Sequence, residues 1–264
     1  MNNLLKTMTV FIMMLLGCES TSALKPSEQH HESPKIVEPV LPPVSGGFNT
    51  IPKDGFDPFP EVCAIRDIFG GLRCTGTLIA PNIVLTAGHC LCDKLDIFWV
   101  DFSGDLYFVK KVIRHPECSI GFISVEYDAA IIVLNRNVED ILPVSINSDS
   151  LMAYRGSQIV VAGHGSDIKK YSPPGLFWYY GTLESDPTNM KILTLRGTSI
   201  YYGDSGGPVY MLIEDRLVVV GIISSFSADM GRIYQNSACR VDVIYDWIEG
   251  VIENERMVHW TDSE

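Results

Sequence analysis

The hexapeptide GDSGGP at residues 203–208 constrains this chain more than any other stretch. Glycine adopts dihedral angles and close approaches that other residues resist, so three glycines and a proline around an acid and a hydroxyl predict a tight turn. Such a turn can present Ser205 at its tip and direct the backbone N–H groups of Gly203 and Ser205 toward one point. We therefore interpret the segment as a nucleophile loop with an oxyanion hole. A plain Gly-rich hairpin would not require Asp204 and Ser205 at its centre.

Two upstream motifs supply the partners that a nucleophilic serine needs. They are TAGHC at residues 86–90 and YDAAII at residues 127–132. A serine hydroxyl is a poor nucleophile until an imidazole accepts its proton, and the imidazole needs a buried carboxylate that fixes its tautomer. The pattern predicts His89 as the base and Asp128 as the orienting carboxylate. Each motif alone is a weaker signal, because a histidine beside a cysteine also occurs in structural and metal-binding roles.

The chain order His89, Asp128, Ser205, with all three motifs intact, resembles the trypsin/chymotrypsin family of serine endopeptidases over residues 44–256. The resemblance implies an enzyme that hydrolyses peptide bonds of peptide or protein substrates through an acyl-enzyme, with no metal and no organic cofactor. The alternative is a catalytically silent binding protein of the same fold. An α/β-hydrolase esterase is excluded, because its serine precedes its acid and its histidine.

The apolar pattern indicates an all-β fold on its own. Short β-branched runs between Gly, Pro, Asn and Asp predict a barrel or a sandwich. These runs are residues 77–79, 83–86, 97–102, 107–113, 130–134, 158–162, 192–194, 208–213 and 216–223. Apolar residues then recur every four positions, which predicts an amphipathic C-terminal α-helix over 242–256.

The family resemblance gives this pattern a more definite form. It implies two packed antiparallel six-stranded β-barrels within a peptidase domain at 44–264. Barrel one would span 44–148 and carry His89 and Asp128, and barrel two would span 149–241 and carry Ser205. No internal repeat divides the chain, so this division comes from the resemblance. We expect a monomer.

The N-terminal segment predicts export. Lys6 precedes an apolar run that is too short to span a bilayer, so residues 1–17 are interpreted as a signal peptide. The run ends in LLGC, which resembles a bacterial lipobox, where an acylated Cys18 would anchor the protein to a membrane of the bacterial cell envelope. The alternative is ordinary signal cleavage after residue 23, followed by secretion. Polar, Pro-rich residues 18–43 predict a flexible tether or propeptide.

The charge of the chain excludes two classes of partner. Its 32 acidic and 20 basic residues give a formal net charge of −12. A chain this acidic is not expected to bind nucleic acid or an anionic membrane surface by charge. The membrane partner that the sequence does predict acts through the acyl anchor.

The cysteines other than Cys18 predict disulfides, because they are even in number in an exported chain. Sequence alone cannot choose among the possible connectivities. The family resemblance implies Cys74–Cys90, the bridge that closes the loop carrying the catalytic histidine. It also favours Cys92–Cys118, because the family segment before Cys118 passes near that loop. Elimination then leaves Cys63–Cys239. The family bridge beside the serine is absent, since Tyr201 stands where its cysteine would be.

The resemblance also assigns a primary specificity pocket. Ser199, six residues before Ser205, matches the residue at the base of that pocket, where an aspartate would select Arg or Lys. Because Ser199 is neutral, we predict no strong preference for a basic residue before the cut bond. Ser224 and Phe226 match the strand that binds substrate backbone and forms a wall of the pocket. Phe226 replaces the usual glycine, which predicts a narrow entrance and small or medium apolar residues.

Activation of a zymogen is the last implication of the resemblance. Asp204 matches the family aspartate that pairs with a new α-ammonium group after proteolysis, and Val44 in the sequence VSGG resembles the new N-terminus. A basic residue normally precedes the cut, whereas here Pro43 does. Two alternatives stay open. Cleavage before Val44 could release the domain from its tether, or the enzyme could remain uncut with an internal donor for Asp204.

Overall fold

The computed structural model describes residues 49–50, 57–91, 97–118, 125–165, 176–185, 191–198, 200–229 and 232–261. Four residues of predicted sites, Cys18, Val44, Cys92 and Ser199, lie outside these ranges, as do the predicted signal peptide and tether. Phe226 is described through its backbone only. A two-residue strand, β1 (Asn49–Thr50), precedes the first barrel in the chain.

Six antiparallel strands form the first barrel. They are β2 (Val62–Asp67), β3 (Leu72–Ala80), β4 (Ile83–Thr86), β5 (Ile97–Phe102), β6 (Asp105–Arg114) and β7 (Ala130–Leu134). Their order is β2-β3-β4-β7-β6-β5, and β5 pairs back with β2, which closes the barrel. All five residues of β7 are buried, as expected for a continuous apolar run in a strand that is covered on both faces.

The second barrel is built in the same way. After the short β8 (Ser145–Ile146) come β9 (Gln158–Gly163), β10 (Phe177–Ser185), β11 (Ile192–Arg196), β12 (Pro208–Ile213), β13 (Arg216–Asp229) and β14 (Arg232–Arg240). The order β9-β10-β11-β14-β13-β12 closes because β12 also pairs with β9. Outside the ring, β1 pairs with β10 and β8 with β13. The predicted fold of two six-stranded antiparallel barrels is confirmed.

The barrels share one continuous apolar core at their interface. Phe59, just before β2, stacks on Tyr210 of β12 with ring centroids 5.3 Å apart and meets the edge of Trp178 at 5.7 Å. The buried Tyr210 hydroxyl donates a 2.5 Å hydrogen bond to the Glu61 carboxyl group. Burial raises the pKa of Glu61. Apolar packing and this buried polar pair therefore both contribute to the interface between the two barrels.

A C-terminal helix, α1 (Val241–Thr261), leaves the second barrel and packs on the first. Its isoleucines at 244, 248 and 252 are buried, whereas Val243 is 37% exposed. Trp247 meets the edge of the His115 ring, and Glu255 accepts a 2.7 Å salt bridge from Lys111. The helix runs past the predicted end at 256, because neither glycine nor proline follows Gly250 to stop it. Within the described ranges, no helix is both long enough and apolar enough to cross a membrane.

One predicted disulfide is wrong. Cys63 and Cys239 are both buried free thiols, and they lie in different barrels, in β2 and β14. Cys63 faces Gly76 across the β2–β3 pair, and the Cys239 thiol donates to the Glu126 carbonyl oxygen at 3.2 Å. Elimination failed because both sulfurs fill core positions. The predicted Cys92–Cys118 bridge stays a prediction, since Cys92 lies outside the described residues.

The Cys74–Cys90 disulfide forms as predicted, with a Cα–Cα distance of 6.2 Å. It joins β3 to a short 3₁₀ helix, Gly88–Leu91. A loop of this length contributes roughly 3 kcal/mol of stability in chain-entropy terms. The bridge thereby ties the histidine segment to the barrel wall.

Candidate active site

Two neighbouring strands of the first barrel bring His89 and Asp128 together. His89 lies in the 3₁₀ helix that follows β4, and Asp128 lies two residues before β7. Because β4 and β7 pair antiparallel, with Thr86 opposite Ala130, the end of one strand meets the start of the other. Residues distant in sequence therefore meet at one edge of the barrel.

The Asp128 carboxylate is buried and accepts three hydrogen bonds. It accepts one from His89 Nδ1 at 2.6 Å and one from the His89 backbone N–H at 2.7 Å. The third comes from the Ser224 hydroxyl at 2.5 Å. A hydrogen bond from Nδ1 to a carboxylate leaves the lone pair of the neutral ring on Nε2, as a general base requires.

Ser224 makes a contact that the sequence analysis did not predict. Its place in a strand that forms a wall of the specificity pocket stays a prediction, and its buried hydroxyl donates to Asp128. This contact spans 96 positions, and no local motif around Ser224 indicates it. Ser224 is therefore a member of the His89–Asp128 cluster that sequence reasoning missed.

The nucleophile loop leaves two particular N–H groups without a backbone partner. The N–H groups of Asp204, Gly206 and Gly207 donate to the carbonyl oxygens of Tyr201, Ile223 and Asp204, at 3.1, 2.7 and 2.9 Å. Within the described residues no such bond is made by the N–H groups of Gly203 and Ser205. Positive φ angles of 99° at Gly203 and 85° at Gly206 shape the turn, and glycine adopts these without strain.

The loop is attached to the first barrel beside His89. The Ser205 carbonyl accepts a 2.8 Å hydrogen bond from the Thr75 N–H. The Cys90 sulfur lies 3.7 Å from the same carbonyl oxygen and 3.9 Å from His89 Nε2. Within the described part of the chain, no hydrogen bond joins the Ser205 hydroxyl to His89. Such contacts often tighten only when substrate binds.

Asp204 is a buried carboxylate behind the loop. It accepts hydrogen bonds from the backbone N–H groups of Gly165 at 2.7 Å and Tyr201 at 2.9 Å. Gly163 and Gly165 leave the space that its side chain fills. Its surroundings are otherwise apolar, with Phe177, Tyr179, Ile200 and Ile223 lining the adjacent crevice. Burial raises the pKa of Asp204 to about 6, and the two hydrogen bonds oppose that shift. Among the described residues no cation pairs with it.

A cluster of possible metal ligands and a surface cleft play no part in the chemistry of the candidate active site. The ligand atoms of Cys74, His89 and Cys90 lie within 4.8 Å of one another. Both sulfurs belong to the disulfide, however, so they are not available as thiolate ligands. A cleft of about 430 Å³ between the β3–β4 turn and helix α1 is lined by Asn82, Ile252 and Glu255, among others. It contains none of the predicted site residues.

Comparison with known proteins gives one consistent family. The protein-family model described as Trypsin matches residues 62–248, more than half of the chain. Venom serine protease 34 of Apis mellifera is 27% identical over 78% of this chain and 57% of its own length. CLIP domain-containing serine protease B4 of Anopheles gambiae is 26% identical over 67% and 62%. Chymotrypsin-like elastase family member 1 of Felis catus is 24% identical over 74% and 86%. This chain thus spans less than two thirds of the two insect relatives.

Proposed function

Because the chain belongs to the trypsin family of serine proteases, we propose that it is an endopeptidase acting through His89, Asp128 and Ser205. Ser205 Oγ bonds to the peptide carbonyl carbon while its proton passes to His89 Nε2. The peptide C–N bond breaks as His89 returns that proton to the leaving amine. Water then hydrolyses the ester and restores the serine. The N–H groups of Gly203 and Ser205 stabilise the oxyanion.

The observation that carries this proposal is the Asp128 carboxylate with its three donors. A buried anion with two bonds from His89 and one from Ser224 fixes one ring orientation and favours the imidazolium that forms during the reaction. A protein that retained only the fold would not need this arrangement. The N–H groups of Gly203 and Ser205 give further support, because they are the predicted oxyanion donors and make no backbone hydrogen bond to the described residues.

Labelling with a fluorophosphonate probe tests the proposal. We expect the processed, folded protein to be labelled and the Ser205→Ala variant to remain unlabelled. Ser148→Ala, which removes an exposed serine that lies in none of the three site motifs, should label like the wild type. Absence of labelling in folded wild-type protein would favour the silent binding protein of the same fold.

Activation by cleavage before Val44 is a further part of the proposal. The α-ammonium group of a new terminus would neutralise the Asp204 carboxylate, which is buried beside apolar residues. N-terminal sequencing of the active species tests this proposal. Val44 as first residue supports it, whereas activity in a chain that begins before Val44 supports the uncut alternative.

Substrate preference is also proposed from the predicted pocket residues. A neutral Ser199 and a bulky Phe226 favour small or medium apolar side chains before the cut bond. A peptide library digested with the active enzyme should show such residues at that position. A profile dominated by Arg and Lys would contradict the assignment.

Export and acylation at Cys18 depend on residues outside the described ranges and stay proposals. The relatives named above come from insects and vertebrates, so they give no support for a bacterial lipoprotein. Metabolic labelling with an alkyne fatty acid provides the test. Incorporation that is lost in Cys18→Ser supports the anchor, and a mature N-terminus beyond residue 23 supports ordinary secretion.

A further inference from the structure

Thr75 connects the first barrel to the nucleophile loop through its backbone and its side chain together. It is fully buried in β3, directly after the disulfide-bonded Cys74. Its N–H donates to the Ser205 carbonyl at 2.8 Å, and its hydroxyl donates to the Gly203 carbonyl at 2.7 Å. The hydroxyl contact joins residues 128 positions apart. One residue of barrel one therefore holds two carbonyl groups of the loop.

A second contact fixes the direction of the hydroxyl proton. The His164 backbone N–H donates to Thr75 Oγ1 at 2.9 Å. Because an N–H can only donate, the oxygen accepts there, and its own proton is directed to the Gly203 carbonyl. The Thr75 carbonyl in turn accepts a 2.7 Å hydrogen bond from the Thr86 hydroxyl. The N–H, hydroxyl and carbonyl groups of Thr75 therefore all have hydrogen-bond partners inside the protein. A fully satisfied buried network of this kind holds its members in one geometry.

This network determines how the loop amides point. The peptide group between Gly203 and Asp204 is held at both ends, because its oxygen accepts from Thr75 and its N–H donates to Tyr201. Gly203 sits at a φ of 99°, in a region where a glycine has many alternatives. Without the hydroxyl, this peptide group loses one of its two anchors and can rotate. This peptide group lies between the two peptide groups that carry the Gly203 N–H and the Ser205 N–H, so its rotation would change how those two N–H groups point relative to each other.

We propose that the Thr75 hydroxyl is a positioning group for the oxyanion hole, which acts by holding the Gly203 carbonyl. The inference rests on the endopeptidase function proposed above and deepens it. Thr75 does not touch the substrate, so its loss should affect the transition state, in which charge develops on the oxyanion, more than substrate binding.

Steady-state kinetics of two variants test the inference. Thr75→Val keeps the shape and removes the hydroxyl, and Thr75→Ser keeps the hydroxyl. Loss of a direct oxyanion donor typically lowers kcat by about 100-fold or more, so loss of its support should lower kcat by about 10-fold in Thr75→Val, with KM within about twofold. Thr75→Ser should restore most of the rate. Equal losses in both variants, or a kcat within about twofold of wild type in Thr75→Val, would overturn the inference.

A matched control separates positioning from general damage. Thr77→Val makes the same change at a second buried threonine of β3, opposite Val62 and Leu85. We expect it to keep the wild-type kcat. A loss in Thr77→Val as large as in Thr75→Val would mean that any buried valine in this strand damages the site, and the inference would fail.

Amide hydrogen exchange tests the same inference independently of activity. In Thr75→Val, peptides covering residues 200–207 should exchange faster than in wild type, while those covering β6 and β7 should not change. Thr75→Ser should exchange like wild type. A uniform increase along the chain, or no increase at 200–207, refutes the positioning role. If wild type is not labelled by fluorophosphonate, the proposed function fails while the exchange result still decides the role of Thr75.

Discussion

The raised pKa of Asp204 predicts that this group makes the uncut protein less stable as the pH rises from about 4 to about 6. Burial raises the pKa of this carboxyl group from 3.8 to about 6. A group with a raised pKa in the folded state keeps its proton up to a higher pH there than in the unfolded chain. Its contribution to the stability of the folded protein is therefore fully present below pH 4 and is lost as the pH rises through 6.

The magnitude follows from the size of the shift. The pKa rises by roughly two units, and one unit corresponds to 1.36 kcal/mol, so ionisation of Asp204 should lower the free energy of unfolding by about 3 kcal/mol. This is a large share of the 5–15 kcal/mol that is typical of a folded domain. The buried carboxylate, which pairs with no cation among the described residues, is therefore a marked weakness of the uncut protein at neutral pH.

Urea unfolding at several pH values between 4 and 7 measures this effect, with Asp204→Asn as the comparison. Asparagine cannot ionise, so the other carboxyl groups cancel when the two proteins are compared at each pH. We expect the difference in unfolding free energy to move in favour of Asp204→Asn by about 3 kcal/mol across this range. A pH-independent difference would refute the reasoning. A shift in favour of wild type would show that a cation already pairs with Asp204 in the uncut protein.

Three further predictions concern glycine packing and the barrel interface. In Gly165→Ala a Cβ atom would lie 2.5 Å from the Asp204 carboxyl carbon, so we expect it to displace that side chain, and both the rate of fluorophosphonate labelling and the melting temperature should fall. Gly250→Ala adds a methyl group in open space within helix α1, and should stabilise the protein by about 0.5–1 kcal/mol in urea unfolding. Tyr210→Phe removes the hydroxyl that donates to the buried Glu61, and should destabilise by about 1–3 kcal/mol in the same assay; a change under about 0.5 kcal/mol would contradict this prediction.

The strands that the sequence predicted share one property. Each of the nine predicted runs lies within an observed strand, because β-branched and aromatic residues favour strands. Among the barrel strands, β2, β10 and β14 were missed, as were the two-residue strands β1 and β8. β14 reads RIYQNSACR and β10 contains Gly181 among aromatic and polar residues. Their pairing is set by neighbouring strands rather than by their own composition, and a local pattern cannot reveal that.

The candidate site also contains residues that the sequence predicted and residues that only the structure revealed. His89, Asp128 and Ser205 lie in short motifs, because a tight turn and a strand start each require particular neighbours. The roles of Thr75 and Ser224 depend on contacts across 128 and 96 positions. A threonine in a strand and a serine in a strand are ordinary in sequence. Only the packing of the two barrels makes them part of the site.

That packing also connects stability to activity in this protein. His89 and Asp128 come from barrel one, the nucleophile loop comes from barrel two, and Thr75 reaches between them. Tyr210 lies in β12, which directly follows the loop, and its hydrogen bond to Glu61 crosses the same interface. Tyr210→Phe should therefore lower the labelling rate as well as the stability. Gly250→Ala acts on the exposed side of helix α1, so it should change stability alone. If both variants changed labelling in proportion to stability, global unfolding rather than the barrel interface would govern the site.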